Sequence, residues 1–191
     1  MNAQIRQNAQ GYLVSHFAAA VVRDVTGWTA AELDITGAAD VEDVAERLRD
    51  IDPEAKVSLL FVESDDTYLA IMRLDEGDDL RVFGSDAAFV AESRLGSLLL
   101  GDVEEPALDP SDLGDDDPDA TATDDSDEAP QLAPVSAADP VGDPDLLSDL
   151  GVPASRLLAL CGREGMLPAD VTAEVCQLVG CGDEVEELRE A

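Results

Sequence analysis

The chain has 191 residues, room for one domain or two small ones, and carries 44 acidic against 11 basic side chains, a formal net charge of −33. That balance argues against direct binding to nucleic acid or to an anionic membrane, because phosphate contact needs clustered Lys and Arg. It favours a highly soluble scaffold or a protein that meets a basic surface.

Residues 1–14 are polar and rich in Gln and Asn, and are read as a disordered extension. No apolar core follows a basic start, and no apolar run approaches the roughly 18 residues of a membrane span. The expectation is a cytoplasmic protein with neither signal peptide nor transmembrane helix. Phe17 to Val25 reads as a strand, Thr26-Gly27 as a turn, and Trp28 to Leu33 as a second strand. Trp28, the one Trp, reads as a core or edge-covering aromatic. Asp40 caps a helix predicted to run to Ile51, with Val41, Val44, Ala45, Leu48 and Ile51 on one face.

Lys56 to Leu74 is the most apolar stretch of the chain. Val57, Leu59 and Phe61 alternate with Ser58, Leu60 and Val62. After Ser64-Asp65-Asp66 the alternation resumes through Tyr68, Ala70, Met72 and Leu74. Period two on both sides of a polar turn is a hairpin signal. Its first strand is apolar on both faces, so it is expected to be central and covered twice. Leu80 to Phe83 reads as a fifth strand. Ser85 is expected to cap a helix from Asp86 to about Leu100, with Ala88, Ala91, Leu95, Leu98 and Leu99 apolar and Gly101 at its end.

The composition changes from Asp102 to Pro140. Residues 101–140 carry 14 acids and no base. Like charges repel there, and too little apolar surface is present to offset chain entropy. From Asp143 the pattern turns helical, with predicted helices over DPDLLSDLG, from Pro153, from Pro168 and over Asp183–Glu190. The predicted architecture is α+β: a five-stranded, mainly antiparallel sheet with two helices in ββαβββα order over residues 15–101, a disordered acidic linker over 102–140, and a small helical module over 141–191. The element order is similar to that of longin-like and roadblock-like domains. An aliphatic module of that size is marginal alone and is expected to need a surface to dock on.

Nothing in the chain assembles a catalytic, cofactor-binding or metal-ligating set, and no cofactor is expected. His16 is the only histidine, at a strand edge. Cys161, Cys176 and Cys181 follow C-x14-C-x4-C, which is not zinc spacing. Cys161 and Cys176 read as buried small hydrophobes and Cys181, between glycines, as exposed. Neither G-x-x-x-x-G-K-[ST] nor G-x-G-x-x-G occurs. Glu63, Asp65 and Asp66 read as solvated turn carboxylates, and Arg73 and Arg81 as members of surface ion pairs.

The run R-V-F-x-S-D-A-A at Arg81–Ala88, the run G-D-P-D-L-L-x-D-L-G at Gly142–Gly151 and the acidic stretch between them resemble the bacterial family of tRNA adenosine deaminase-associated proteins. The resemblance spans nearly everything from Phe17 onward. It implies a deaminase as protein partner and brings no functional residue with it. It does not imply deamination by this chain. A zinc nucleobase deaminase needs H-x-E and P-C-x-x-C, whereas His16 is followed by Phe17 and Ala18, and no C-x-x-C exists. The expected function is therefore that of a non-enzyme: a partner or regulator of the deaminase. Two alternatives are an acidic nucleic-acid mimic that occupies a basic cleft and an interaction scaffold with an unrelated client.

Overall fold

The computed structural model describes residues 16–64, 66–76, 79–101 and 140–190. The predicted disorder of residues 1–14 and of nearly all of 102–140 lies outside the described residues, as does Asp65 in the hairpin turn.

Strands β1 (His16–Arg23), β2 (Trp28–Glu32), β3 (Val57–Ser64), β4 (Tyr68–Asp75), β5 (Asp79–Gly84) and β6 (Val141–Gly142) form one sheet in the order β2-β1-β3-β4-β5-β6. Every neighbouring pair is antiparallel. The sheet has six strands where the sequence predicted five. The sixth is a two-residue strand beside β5, too short to show a period. Its Gly142 has φ +88°, and a Cβ there would lie 2.2 Å from the Val82 carbonyl oxygen, so the strand's close approach requires glycine. The β3–β4 hairpin pairs as its alternation predicts, with Leu60 opposite Met72 and Phe61 opposite Ile71.

Helix α1 (Val41–Arg49) is capped by Asp40, which accepts the Asp43 N–H at 2.9 Å. Asp43 returns the favour by accepting from the Ala39 N–H at 2.9 Å. The single helix predicted over 86–100 is two: α2 (Ala87–Glu92) and α3 (Arg94–Leu100). Asp86 rather than Ser85 caps α2, accepting from the Ala88 N–H at 2.8 Å. The break falls at Ser93, which has extended backbone and caps α3 through the Gly96 N–H at 2.7 Å. It shifts the helical phase, so Ala88 and Ala91 are exposed while Phe89 and Val90 pack inward. Gly101 ends α3 in a right-handed conformation, not a left-handed cap.

The stretch DPDLLSDLG is not a regular helix. Asp143 accepts the Asp145 N–H at 2.8 Å, and Asp145 accepts from the Ser148 hydroxyl at 2.8 Å. These local bonds compete with a helical ladder and leave turns and a short 3-10 segment, Ser148–Leu150. Leu146 and Leu147 are nonetheless fully buried. Helices α4 (Ala154–Cys161), α5 (Pro168–Val179) and α6 (Gly182–Glu190) follow, close to where the proline and glycine signals put them.

The sheet separates two apolar cores. On the first face, Ala18, Ala20, Leu60, Val62, Tyr68, Ala70 and Met72 meet α1, α2 and α3. The Tyr68 ring stacks on Phe89 at 4.1 Å between centroids. On the second face, Ala19, Val21, Leu59, Phe61, Leu69, Ile71 and Phe83 meet residues from Leu146 to Leu188. The C-terminal helices thus dock on the sheet, α5 over β3 and β4 and α6 over β1 and β2. Each fully buried Leu or Phe contributes roughly 1.5–3 kcal/mol. β3 is central and covered on both faces, as its doubly apolar sequence predicts. Among the described residues no helix is long and apolar enough to cross a membrane.

Candidate interaction surface

The side chains that could carry chemistry are dispersed. His16 is exposed at the start of β1, opposite Ser64 in the strand register. It lies near Asp34, whose carboxyl is held below its ordinary range chiefly by hydrogen bonds from Thr36, with a small contribution from His16. Cys161 is half-buried, and burial pushes its thiol up to about 11. Cys176 is buried; hydrogen bonding with Cys181, then burial, drive its thiol well above the ordinary value.

Cys181 is buried rather than exposed. The turn that ends α5 explains the difference: the N–H groups of Gly180 and Cys181 both reach the Cys176 carbonyl, at 2.9 and 2.8 Å. That pattern brings the residue after the glycine back onto the last turn of the helix. The raised thiols of Cys161 and Cys176 are poor nucleophiles. Among the described residues no group of three His, Cys, Asp or Glu could hold a metal ion.

Two charged residues expected at the surface are buried instead. Arg73 is 4% exposed and Glu63 is 6% exposed, both on the second face of the sheet. Arg73 donates to Asp75 at 2.9 Å, to the Leu146 carbonyl at 2.6 Å and to Asp149. Arg81 pairs with Asp75 at 3.0 Å and with Asp143 at 3.8 Å. Glu63 accepts from Arg189 of α6, whose guanidinium lies 4.7 Å from the Phe17 ring. These are clasps that hold the C-terminal segment on the sheet. Asp66 is exposed, as predicted. Trp28 is half-buried against the second core, with the Arg23 guanidinium 5.4 Å from its ring, which fits an edge-covering aromatic.

An open groove of about 590 Å³ lies on the outer side of α5. Met166, Asp170, Ala173, Glu174, Gln177 and Leu178 line it. Asp170, Ala173, Glu174, Gln177 and Leu178, spaced three and one apart, form a single helical stripe, opposite Val171, Val175 and Cys176, which face the core, and Met166 adjoins it from the turn before the helix. Asp170 caps the helix by accepting the Leu167 N–H at 3.2 Å. Arg156 of α4 reaches across to Glu174.

Leu178 is apolar like Val171 and Val175, but it is 44% exposed. In the last turn of α5 the buried side centres on Cys176 and Val179, and Leu178 lies off it. Leu158 departs in the same way, since α4 buries only Leu157 and Leu160 fully. The available sequence signal was the second stripe itself: Asp170, Glu174 and Gln177 recur at helical spacing beside an apolar residue at either end.

A family model described as Rv3753c-like tRNA adenosine deaminase-associated protein matches residues 16–182. No curated protein and no solved structure matches the chain.

Proposed function

Because the chain belongs to the family of Rv3753c-like tRNA adenosine deaminase-associated proteins, we propose that it is a non-catalytic partner or regulator of a tRNA adenosine deaminase. The family match over residues 16–182 carries this reading. The residue inventory supports it: the H-x-E and P-C-x-x-C motifs of a zinc deaminase are absent from the sequence. The charge supports it as well. A tRNA-binding enzyme presents a basic surface, and a chain of net charge −33 is drawn to such a surface.

The test is a titration of the purified deaminase against the purified protein, with and without tRNA, at two salt concentrations. Binding that tolerates tRNA and salt is expected of an adaptor. Binding that tRNA displaces and salt weakens would assign the acidic stretch 101–140 the role of a nucleic-acid mimic. Absence of binding under every condition would sink the association and leave a scaffold with another client.

A further inference from the structure

Among the described residues four large apolar side chains are strongly exposed: Val25, Leu158, Leu167 and Leu178. Of these, Leu178 lines one end of the groove, and half-buried Met166 lines the other. Leu167, beside half-buried Met166, precedes the first turn, and Leu178 lies in the last. Helix α5 itself, Pro168–Val179, has 12 residues, about 18 Å at 1.5 Å per residue. Between the ends lie Asp170 and Glu174, with small Ala173 leaving space beside them. Arg156 of α4 pairs with Glu174. The surface is therefore apolar at both ends and acidic in the middle.

A ligand that matches this order presents two apolar anchors about three helical turns apart, with Lys or Arg between them. A groove along a helix is filled well by a second helix whose anchors recur at helical spacing. We infer that the outer groove of α5 is the docking site for a cationic amphipathic helix of the protein partner, an assignment that rests on the association proposed above. Charge selects this occupant over the others. A nucleic acid would set its phosphates against Asp170 and Glu174. A second copy would bring the same acidic stripe and another net charge of −33 to the contact.

The experiment uses the purified full chain and the purified deaminase. Leu178→Asp removes one apolar anchor, and Gln177→Lys places a positive charge in the acidic middle. Both positions are exposed, so the fold should survive, and a thermal melt of each variant checks that it does. Leu178→Asp should weaken binding about tenfold or more, the scale of an anchor residue. Gln177→Lys should weaken it by about threefold at low salt, and the difference should fade as salt is raised. Hydrogen exchange on the wild-type complex, which needs no variant, should show protection centred on residues 166–178.

Wild-type affinity in both variants, without protection there, overturns the groove while the association survives. A wild-type chain that does not bind the deaminase overturns both. Sedimentation showing self-association of the wild type that Leu178→Asp abolishes makes the occupant a second copy, and the assignment fails.

Discussion

On one face of the sheet the covering helices are interleaved with the strands: α1 lies between β2 and β3 in the chain, and α2 and α3 follow β5 directly. On the other face the whole cover is one C-terminal segment that returns only after the acidic stretch 102–139. The first face closes through short connections whose entropy cost is small. The second is covered by a segment far along the chain, and each doubling of the sequence separation adds roughly 0.6 kcal/mol to the cost of bringing two points together. The second face also has features suited to holding a returning segment in register. Arg73 reaches Asp149 and the Leu146 carbonyl, and Glu63 meets Arg189 near the end of α6. Apolar burial supplies the larger energy on both faces, whereas the clasps fix where the returning segment sits.

The largest effect should come from removing that segment. A chain ending at residue 139 uncovers Leu59, Phe61, Ile71 and Phe83, all with no exposure in the intact protein. It should aggregate or lose its cooperative thermal transition, read by size-exclusion chromatography and circular dichroism. If the truncated chain stays monomeric and melts cooperatively, the first core suffices and the second face is an accessory layer.

A smaller but sharper contrast is expected from Arg73→Leu. The guanidinium is buried among Asp75, Asp149 and the Leu146 carbonyl. Removing one partner of a buried ion pair commonly costs about 3–5 kcal/mol. The expected value lies near the low end, about 3 kcal/mol, because Arg81 still meets Asp75 and Asp149 is open to water. Urea denaturation measures it. Exchange protection should fall first over residues 143–150, with α1 unchanged. Uniform loss over both faces would show that the two covers unfold as one unit.

The same contrast governs what could be read from the residues. The first face was largely legible. Period two gave the β3–β4 hairpin, and Asp40 with its helical spacing gave α1, because these are local patterns. The break at Ser93 was hidden, since a serine cap inside an apolar run also fits an uninterrupted helix. On the second face, alternation alone puts Glu63 beside Leu59 and Phe61, and Arg73 beside Leu69 and Ile71. Their partners Arg189 and Asp149 lie 126 and 76 residues away, and no periodicity spans such distances. The candidate groove was half visible: the acidic stripe on α5 could be seen, but the exposure of Leu178 depends on where neighbouring elements stop.

The smallest expected effect tests whether the Arg73–Asp149 clasp stabilises the fold or only sets its register. The hydrogen bond from Arg73 is the main reason that the Asp149 carboxyl is held below its ordinary value. A carboxylate with a depressed folded pKa adds stability that is fully present above its unfolded pKa, about 3.9. That stability is lost as pH falls through the lower, folded value. The difference in unfolding free energy between wild type and Asp149→Asn should therefore be flat from pH 7 to pH 5 and shrink below about pH 4. The Asp149 side chain is 59% exposed, so screening keeps the plateau below about 1 kcal/mol. Protonation of the many other carboxylates relieves repulsion in both proteins and cancels in the difference. A gap that persists unchanged into the acid range would mean that the charge on Asp149 contributes nothing, and that Arg73 is held by Asp75 and the Leu146 carbonyl alone.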